Sequence, residues 1–166
     1  DILRRAGFTC DLVEFTPAVE GAHQIEIVCD RVLDDVPADG AYDMVILPGG
    51  IPGALNLRDS DKLMEILQAE DKAGKFVAAI CAAPIALERA GLLHDRKFTA
   101  YVGYDQKIKD GSFCSDIVVR DGNLITSRGP ATAYAFAYAL VDALGGDSQA
   151  VKDRMVYSHA FEEERA

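Results

Sequence analysis

The sequence lacks several features that mark large classes of proteins. It contains no tryptophan, and its four cysteines are widely spaced and form no Cys-x-x-Cys pair. A disulfide framework or a zinc site is therefore not expected, and the thiols fit a reducing, cytoplasmic environment. No apolar run approaches the roughly 20 residues that span a bilayer. No signal peptide opens the chain, so we expect neither a membrane span nor export.

Positive charge is also scarce. The formal net charge is -10, and an acidic surface repels phosphate backbones and anionic membranes. Nucleic acid is therefore not an expected partner. The 166 residues suit one ordinary domain, and 49% of them are hydrophobic, enough to bury a core. We expect a single domain over residues 1–166 and a solvated end at Glu162–Glu164.

Short apolar runs alternate with helical patterns along the chain. The predicted strands are Thr9–Phe15, Ile25–Cys29, Tyr42–Leu47, Lys75–Ile80, Phe98–Tyr101 and a hairpin over Ile117–Thr126 that turns at Asp121-Gly122. The predicted helices are Ile2–Ala6, Asp61–Ala73, Pro84–Ala90, Ala131–Leu144 and Ser148–Met155. This alternation predicts an α/β fold in which helices cover both faces of a mostly parallel sheet. Tyr42–Leu47 is nearly all apolar, which predicts a strand buried on both faces.

Cys81 is the strongest local signal. It directly follows a predicted strand, and the small residues Ala82 and Ala83 leave room for a sharp turn into a helix that Pro84 can begin. The free N–H groups of that helix would favour a thiolate, which is the nucleophilic form. A buried, inert cysteine is the alternative that these residues alone leave open.

Two further segments end at the expected ligand-binding edge of the sheet. Gly49 and Gly50 follow a strand, and their amides, together with that of Ala82, can form an oxyanion hole; a plain glycine-rich turn is the alternative. Arg128 lies between the hairpin and a helix. It can bind an anion beside the pocket or make a structural salt bridge.

Taken together, these residues resemble the ThiJ/PfpI superfamily, and within it the subgroup of Parkinson disease protein 7. The resemblance covers nearly the whole chain. Its motifs occur in the family's order: Leu3-Arg-Arg-Ala-Gly7, Asp43-Met-Val-Ile-Leu-Pro-Gly-Gly50, Gly53-Ala-Leu-Asn-Leu57, Ala78-Ala-Ile-Cys-Ala-Ala-Pro84 and Thr126-Ser-Arg-Gly-Pro-Ala-Thr132.

The resemblance implies a flavodoxin-like fold, a homodimer and a pocket around Cys81 as the nucleophile. Cys29 matches a dimer-interface cysteine, although a core or surface thiol is the alternative. Tyr101 lies where the family often has a histidine; its phenol can hydrogen-bond a substrate oxygen but is a poor base. Ala82 replaces the histidine of the protease branch, so peptide hydrolysis is not expected.

The family pairs its cysteine with a glutamate that follows a first strand, and this chain begins within a helix instead. Either the fold lacks that strand, or the natural protein has an N-terminal segment that is absent from the sequence. We favour the second explanation, because a missing central strand leaves unpaired edges. It predicts an open edge beside Tyr42–Leu47, and a carboxylic acid near Cys81 in the segment that fills it.

The family's activities imply an enzyme for reactive carbonyls: conversion of methylglyoxal to lactate without glutathione, or removal of early glycation adducts from proteins. This chemistry implies no cofactor and no metal. The alternative is a stress protein in which oxidation of Cys81 changes redox signalling or chaperone binding without turnover. Lactate formation distinguishes the two.

Overall fold

The computed structural model describes residues 1–38 and 41–161, so the acidic run Glu162–Glu164 lies outside the described residues. The chain forms two compact units. One contains residues 1–10 together with the chain from residue 137 onward, and the other contains residues 11–136. The extent of the domain predicted from the sequence remains a prediction. No described helix has both the length and the apolar character needed to cross a bilayer.

The described residues form ten short strands and six α-helices. The strands are Val13–Glu14 (β1), Ala18–Glu20 (β2), Glu26–Val28 (β3), Arg31–Val32 (β4), Met44–Leu47 (β5), Phe76–Ile80 (β6), Lys97–Phe98 (β7), Ser112–Phe113 (β8), Val118–Asp121 (β9) and Leu124–Ser127 (β10). The helices are Ile2–Arg5 (α1), Gly53–Asp59 (α2), Asp61–Lys72 (α3), Pro84–Arg89 (α4), Ala133–Ala143 (α5) and Ser148–Arg154 (α6). Single 3₁₀ turns lie at Leu33–Asp35, Pro130–Thr132 and Ser158–Phe161.

The main sheet lies in the unit of residues 11–136 and has the order β5-β6-β10-β9. β5, β6 and β10 are parallel, and β9 returns antiparallel to β10 through a turn in which Gly122 has a φ of +60°. The prediction of a mostly parallel sheet and of an Asp-Gly hairpin is therefore confirmed. Because parallel strands end at one edge, Leu47, Ile80 and Ser127 bring the segments that follow them together.

β6 is the centre of the core, because Val77, Ala78 and Ala79 are fully buried. β5 behaves differently. Only Leu47 of this strand is buried, which corrects the expectation of a strand buried on both faces. The reason is its place in the sheet: within the described residues β5 pairs with β6 alone, so its other edge is open. This open edge is the one expected beside Tyr42–Leu47.

Three pairs of short strands lie outside the main sheet. β1 and β4 are parallel, β2 and β3 form an antiparallel hairpin, and β7 and β8 are parallel. Asp11 links two parts of this unit, since its Oδ2 accepts a hydrogen bond from the Tyr42 hydroxyl at 2.9 Å and pairs with Arg31 Nε at 3.0 Å. The predicted strand Thr9–Phe15 is thus reduced to two residues that pair with β4.

α3 follows the amphipathic pattern of its sequence. The Ser60 hydroxyl accepts a hydrogen bond from the Leu63 N–H at 3.2 Å and caps the helix, while Leu67 and Ile66 are buried. The chain then turns at Gly74, whose φ of +72° favours glycine.

Glu70 of α3 is a buried carboxyl group. Its Oε1 lies 3.5 Å from the Tyr42 N–H, and within the described residues its Oε2 has no hydrogen-bond partner. Desolvation raises the pKa of Glu70; the Tyr42 hydrogen bond and the charge of Lys75 lower it, and the charge of Asp43 raises it. Burial outweighs these contacts, which favours the neutral acid.

The other unit is held by contacts between its two chain segments. Arg154 Nη2 donates to the carbonyl of Arg5 at 2.9 Å and so joins the two segments. Within the second segment, the ring of Tyr138 packs edge-on against Tyr157 with centroids 4.9 Å apart. Gly146 allows a close approach, because a Cβ there would lie 3.0 Å from the Phe8 ring.

Candidate active site

Cys81 occupies a strained turn at the carboxyl end of β6. Its φ is +66°, in the left-handed region that residues other than glycine rarely adopt. Such a conformation costs about 1–3 kcal/mol and persists only where the surroundings hold it. Two hydrogen bonds do so: the Cys81 N–H donates to the Ser127 carbonyl at 3.0 Å, and its carbonyl accepts from the Tyr101 N–H at 2.9 Å. The sharp strand-to-helix turn predicted from the sequence is confirmed.

The strand-to-helix turn is built from small residues. Ala82 and Ala83 are buried, and Pro84 begins α4 as predicted. The Cys81 side chain itself is half-buried, so the thiol is neither sealed in the core nor fully solvated. The thiolate form and the role of the Ala82 amide in an oxyanion hole remain predictions.

Gly49 lies directly against Cys81. A Cβ at this position would lie 2.4 Å from Cys81 Cβ, 3.1 Å from Cys81 Sγ and 2.8 Å from the Ile80 carbonyl oxygen. These distances leave no space for a side chain, so glycine is a requirement of packing here. Gly50 has a φ of +94°, and its carbonyl accepts the Ala54 N–H at 2.8 Å at the start of α2. The predicted glycine loop is thus placed beside the thiol.

Tyr101 meets the same site from the segment after β7, because the predicted strand Phe98–Tyr101 ends at Phe98. Besides its backbone bond to Cys81, its ring packs on Gly129: a Cβ at Gly129 would lie 3.2 Å from Tyr101 Cδ2. The side chain remains 46% exposed, so one part of the ring contacts the loop and another is open to solvent. The structure therefore brings together Cys81, Gly49 and Tyr101, three of the predicted site residues.

Arg128 is engaged in packing. Its Nη1 donates to the Ser115 carbonyl at 2.9 Å, and its guanidinium carbon lies 5.8 Å from the centroid of the Phe113 ring. These contacts support a structural role for Arg128. Its partners are a backbone carbonyl and an aromatic face, whereas the structural alternative considered from the sequence was a salt bridge to a carboxylate. Binding of an anion by Arg128 remains a prediction.

Sequence reasoning missed the hydroxyl groups that hold this edge. Ser127 is fully buried, and its Oγ lies 2.6 Å from both the Ile117 carbonyl and Thr132 Oγ1. Thr132 Oγ1 in turn lies 3.1 Å from the Gly129 N–H. The available signal was the pair of hydroxyl residues that flanks Arg128-Gly-Pro130, since serine and threonine commonly bond neighbouring backbone groups.

The other three cysteines are also half-buried. Desolvation, followed by the charges of Glu14 and Asp30, raises the pKa of Cys29. Cys29 follows β3, in which Val28 is 74% exposed, but its place at a dimer interface remains a prediction. Within the described residues no group of three or more histidine, cysteine and acidic side chains is arranged to hold a metal ion.

Comparison with known proteins identifies the family. The model of the DJ-1/PfpI family matches residues 1–143, which include every predicted site residue. The chain belongs to the DJ-1/PfpI family. Members similar to it include Protein dj-1beta of Drosophila melanogaster, which is 37% identical over 150 residues that cover 88% of this chain and 80% of the relative.

Two further relatives bear on function and fold. The glutathione-independent glyoxalase DJR-1.2 of Caenorhabditis elegans is 36% identical over 132 residues, or 79% of this chain and 70% of the relative. The crystal structure of Drosophila melanogaster DJ-1beta matches with a TM-score of 0.89 at 35% identity, over 94% of this chain and 87% of that one. The predicted flavodoxin-like α/β fold class is thereby confirmed.

Proposed function

We propose that this protein is a cysteine-dependent enzyme for small reactive carbonyls, and that it converts methylglyoxal to lactate without glutathione. The observation that carries the proposal is the conformation of Cys81, a half-buried thiol held at a φ of +66° with Gly49 against its sulfur. Strain of this kind is concentrated at functional sites. The similarity to a relative named as a glyoxalase supports the reaction class.

The reaction balances without an external oxidant. Cys81 Sγ adds to the aldehyde carbon of methylglyoxal and forms a hemithioacetal. Loss of the C1 proton gives an enediol, and protonation at C2 gives a lactoyl thioester; C1 is oxidised while C2 is reduced. Water then cleaves the thioester and releases lactate and the thiol.

Roles follow from position. The amides of Gly49, Gly50 and Ala82 stabilise the oxygen that becomes negative when sulfur attacks. Tyr101, with its ring on Gly129 and part of its surface exposed, hydrogen-bonds the second carbonyl oxygen. The proton transfer between C1 and C2 needs an acid–base group, and we assign it to none of these residues.

The experiment is lactate formation from methylglyoxal by the full-length protein, measured by NMR for the wild type, Cys81→Ser and Cys114→Ser. We expect turnover by the wild type and Cys114→Ser and none by Cys81→Ser. Turnover that survives Cys81→Ser contradicts the proposal.

The half-buried thiol also supports a second function, oxidation of Cys81 as a signal in stress. A wild type that forms no lactate, but in which dilute peroxide oxidises Cys81 ahead of the other cysteines, favours that function. Protein deglycation is a broader form of the first function, and it is tested by whether the unmodified lysine side chain is restored in a glycated peptide.

A further inference from the structure

The strained backbone of Cys81 is held by hydrogen bonds to other segments of the chain and not by bonds within the turn that leads to α4. Its two backbone hydrogen bonds go to Ser127, the last residue of β10, and to Tyr101. Ser127 and Tyr101 are linked in turn through the segment of residues 127–132, because the Tyr101 ring packs on Gly129. Contacts that hold residues 127–132 in place therefore also hold Ser127 and Tyr101, the two hydrogen-bond partners of the Cys81 backbone.

One hydroxyl group closes that segment on itself. Thr132 Oγ1 lies 2.6 Å from Ser127 Oγ, accepts the Gly129 N–H at 3.1 Å and lies 2.9 Å from the Gly129 carbonyl. The Thr132 N–H also donates to the Gly129 carbonyl at 3.0 Å. Thr132 thus links Ser127, whose carbonyl accepts the Cys81 N–H, to Gly129, on which the Tyr101 ring packs.

Two hydroxyl protons serve three short oxygen–oxygen contacts, so the Thr132 proton is shared between the Ser127 oxygen and the Gly129 carbonyl oxygen. The Ser127 hydroxyl donates to the Ile117 carbonyl at 2.6 Å, which leaves its oxygen free to accept the Thr132 hydroxyl. The Thr132 oxygen still accepts the Gly129 N–H. Ser127 is fully buried and Thr132 is half-buried, and both hydroxyl groups have hydrogen-bond partners, so the network is sensitive to the loss of one member.

We propose that Thr132 is a positioning residue, and that its hydroxyl holds Cys81 and Tyr101 in the relative positions that the reaction requires. The inference rests on the proposed role of Cys81 as nucleophile. Without the Thr132 hydroxyl, the segment of residues 127–132 relaxes, the Ser127 carbonyl moves and the left-handed conformation of Cys81 loses its support.

Thr132→Val keeps the shape and removes the hydroxyl, while Thr132→Ser keeps the hydroxyl. Thr99→Val is a matched control: Thr99 is fully buried, and its Oγ1 has no hydrogen-bond partner within the described residues. The measurement is the rate of alkylation of Cys81 by iodoacetamide in the native full-length protein, relative to Cys114 and read by peptide mass spectrometry.

We expect Thr132→Val to slow alkylation of Cys81 roughly tenfold, as for the loss of one partly buried hydrogen bond. Thr132→Ser and Thr99→Val should stay within about threefold of the wild type, a change worth less than half of such a bond. In lactate formation, Thr132→Val should lower kcat more than it raises KM. Ser127→Ala removes the other hydroxyl and should slow Cys81 in the same way if Thr132→Val does not fold.

The outcomes separate this inference from the proposed function. If the wild type forms no lactate but Cys81 is slowed selectively in Thr132→Val, the positioning role stands and the glyoxalase function fails. If Thr132→Val lowers only the unfolding temperature and Cys81 reacts at the wild-type rate, the hydroxyl is merely structural and the inference is overturned.

Discussion

Replacement of Gly49 by alanine is the perturbation whose effect follows most directly from the geometry. The added methyl carbon would lie 2.4 Å from Cys81 Cβ and 2.8 Å from the Ile80 carbonyl oxygen. Carbon atoms in contact lie about 3.5–4.0 Å apart, so the segments that carry Gly49 and Cys81 must separate by about 1 Å. Neither neighbour is the end of a flexible side chain, and Gly49 is not in the left-handed region, so the effect is purely steric.

A displacement of about 1 Å at a reacting centre can cost roughly 100-fold in rate. Overpacking of this kind destabilises a fold by about 1–3 kcal/mol, which a domain of ordinary stability survives. We therefore expect Gly49→Ala to remain folded, to lose about 100-fold in lactate formation and to show slower alkylation of Cys81. Circular dichroism, lactate NMR and iodoacetamide labelling measure the three effects.

Gly53→Ala is the control. Apart from its own helix and its chain neighbours, no described atom lies within 4 Å of the position that a Cβ would take at Gly53. This variant should keep wild-type rates. If Gly49→Ala reacts as fast as Gly53→Ala, the thiol is not held against the glycine loop and the geometric reasoning is wrong.

Three further predictions concern other parts of the molecule. Cys29, whose pKa is raised by desolvation and nearby acidic charges, should be alkylated at pH 7 at least about tenfold more slowly than Cys81, and equal labelling would contradict this. Light scattering should show a dimer that Val28→Glu converts to a folded monomer, because the exposed Val28 lies beside Cys29; a monomeric wild type would refute the predicted dimer. The raised pKa of Glu70 means that the folded state holds this proton more tightly, so stability should fall as pH rises from the usual glutamate range through the raised value. Glu70→Gln should flatten that decline when urea unfolding is measured at increasing pH, starting in the ordinary glutamate range, and an unchanged slope would contradict the assignment.

The elements that depend on local pattern could be predicted from the sequence. The apolar run before Cys81 indicated β6, and the small residues after it indicated the turn into α4. The Asp121-Gly122 pair located the hairpin. In each case the deciding information lies within a few neighbouring residues.

Features that depend on contacts between distant segments could not be predicted in this way. Gly49 is required because residue 81 lies against it, and no local pattern encodes a distance between them. The bond from Arg128 to Ser115 and the hydroxyl pair of Ser127 and Thr132 arise from tertiary packing. β5 has the composition of a fully buried strand, but its burial depends on which strands lie beside it.

The most direct test of the central claim compares loss of activity with modification of one sulfur. Iodoacetamide is added in increasing amounts to the full-length protein, and residual lactate formation is plotted against the fraction of Cys81 alkylated, measured by peptide mass spectrometry. If Cys81 is the nucleophile, the points fall on a straight line that reaches zero activity at complete modification of Cys81, while the other cysteines remain largely unmodified. Activity that persists when Cys81 is fully alkylated, or that falls with modification of another cysteine, contradicts the account.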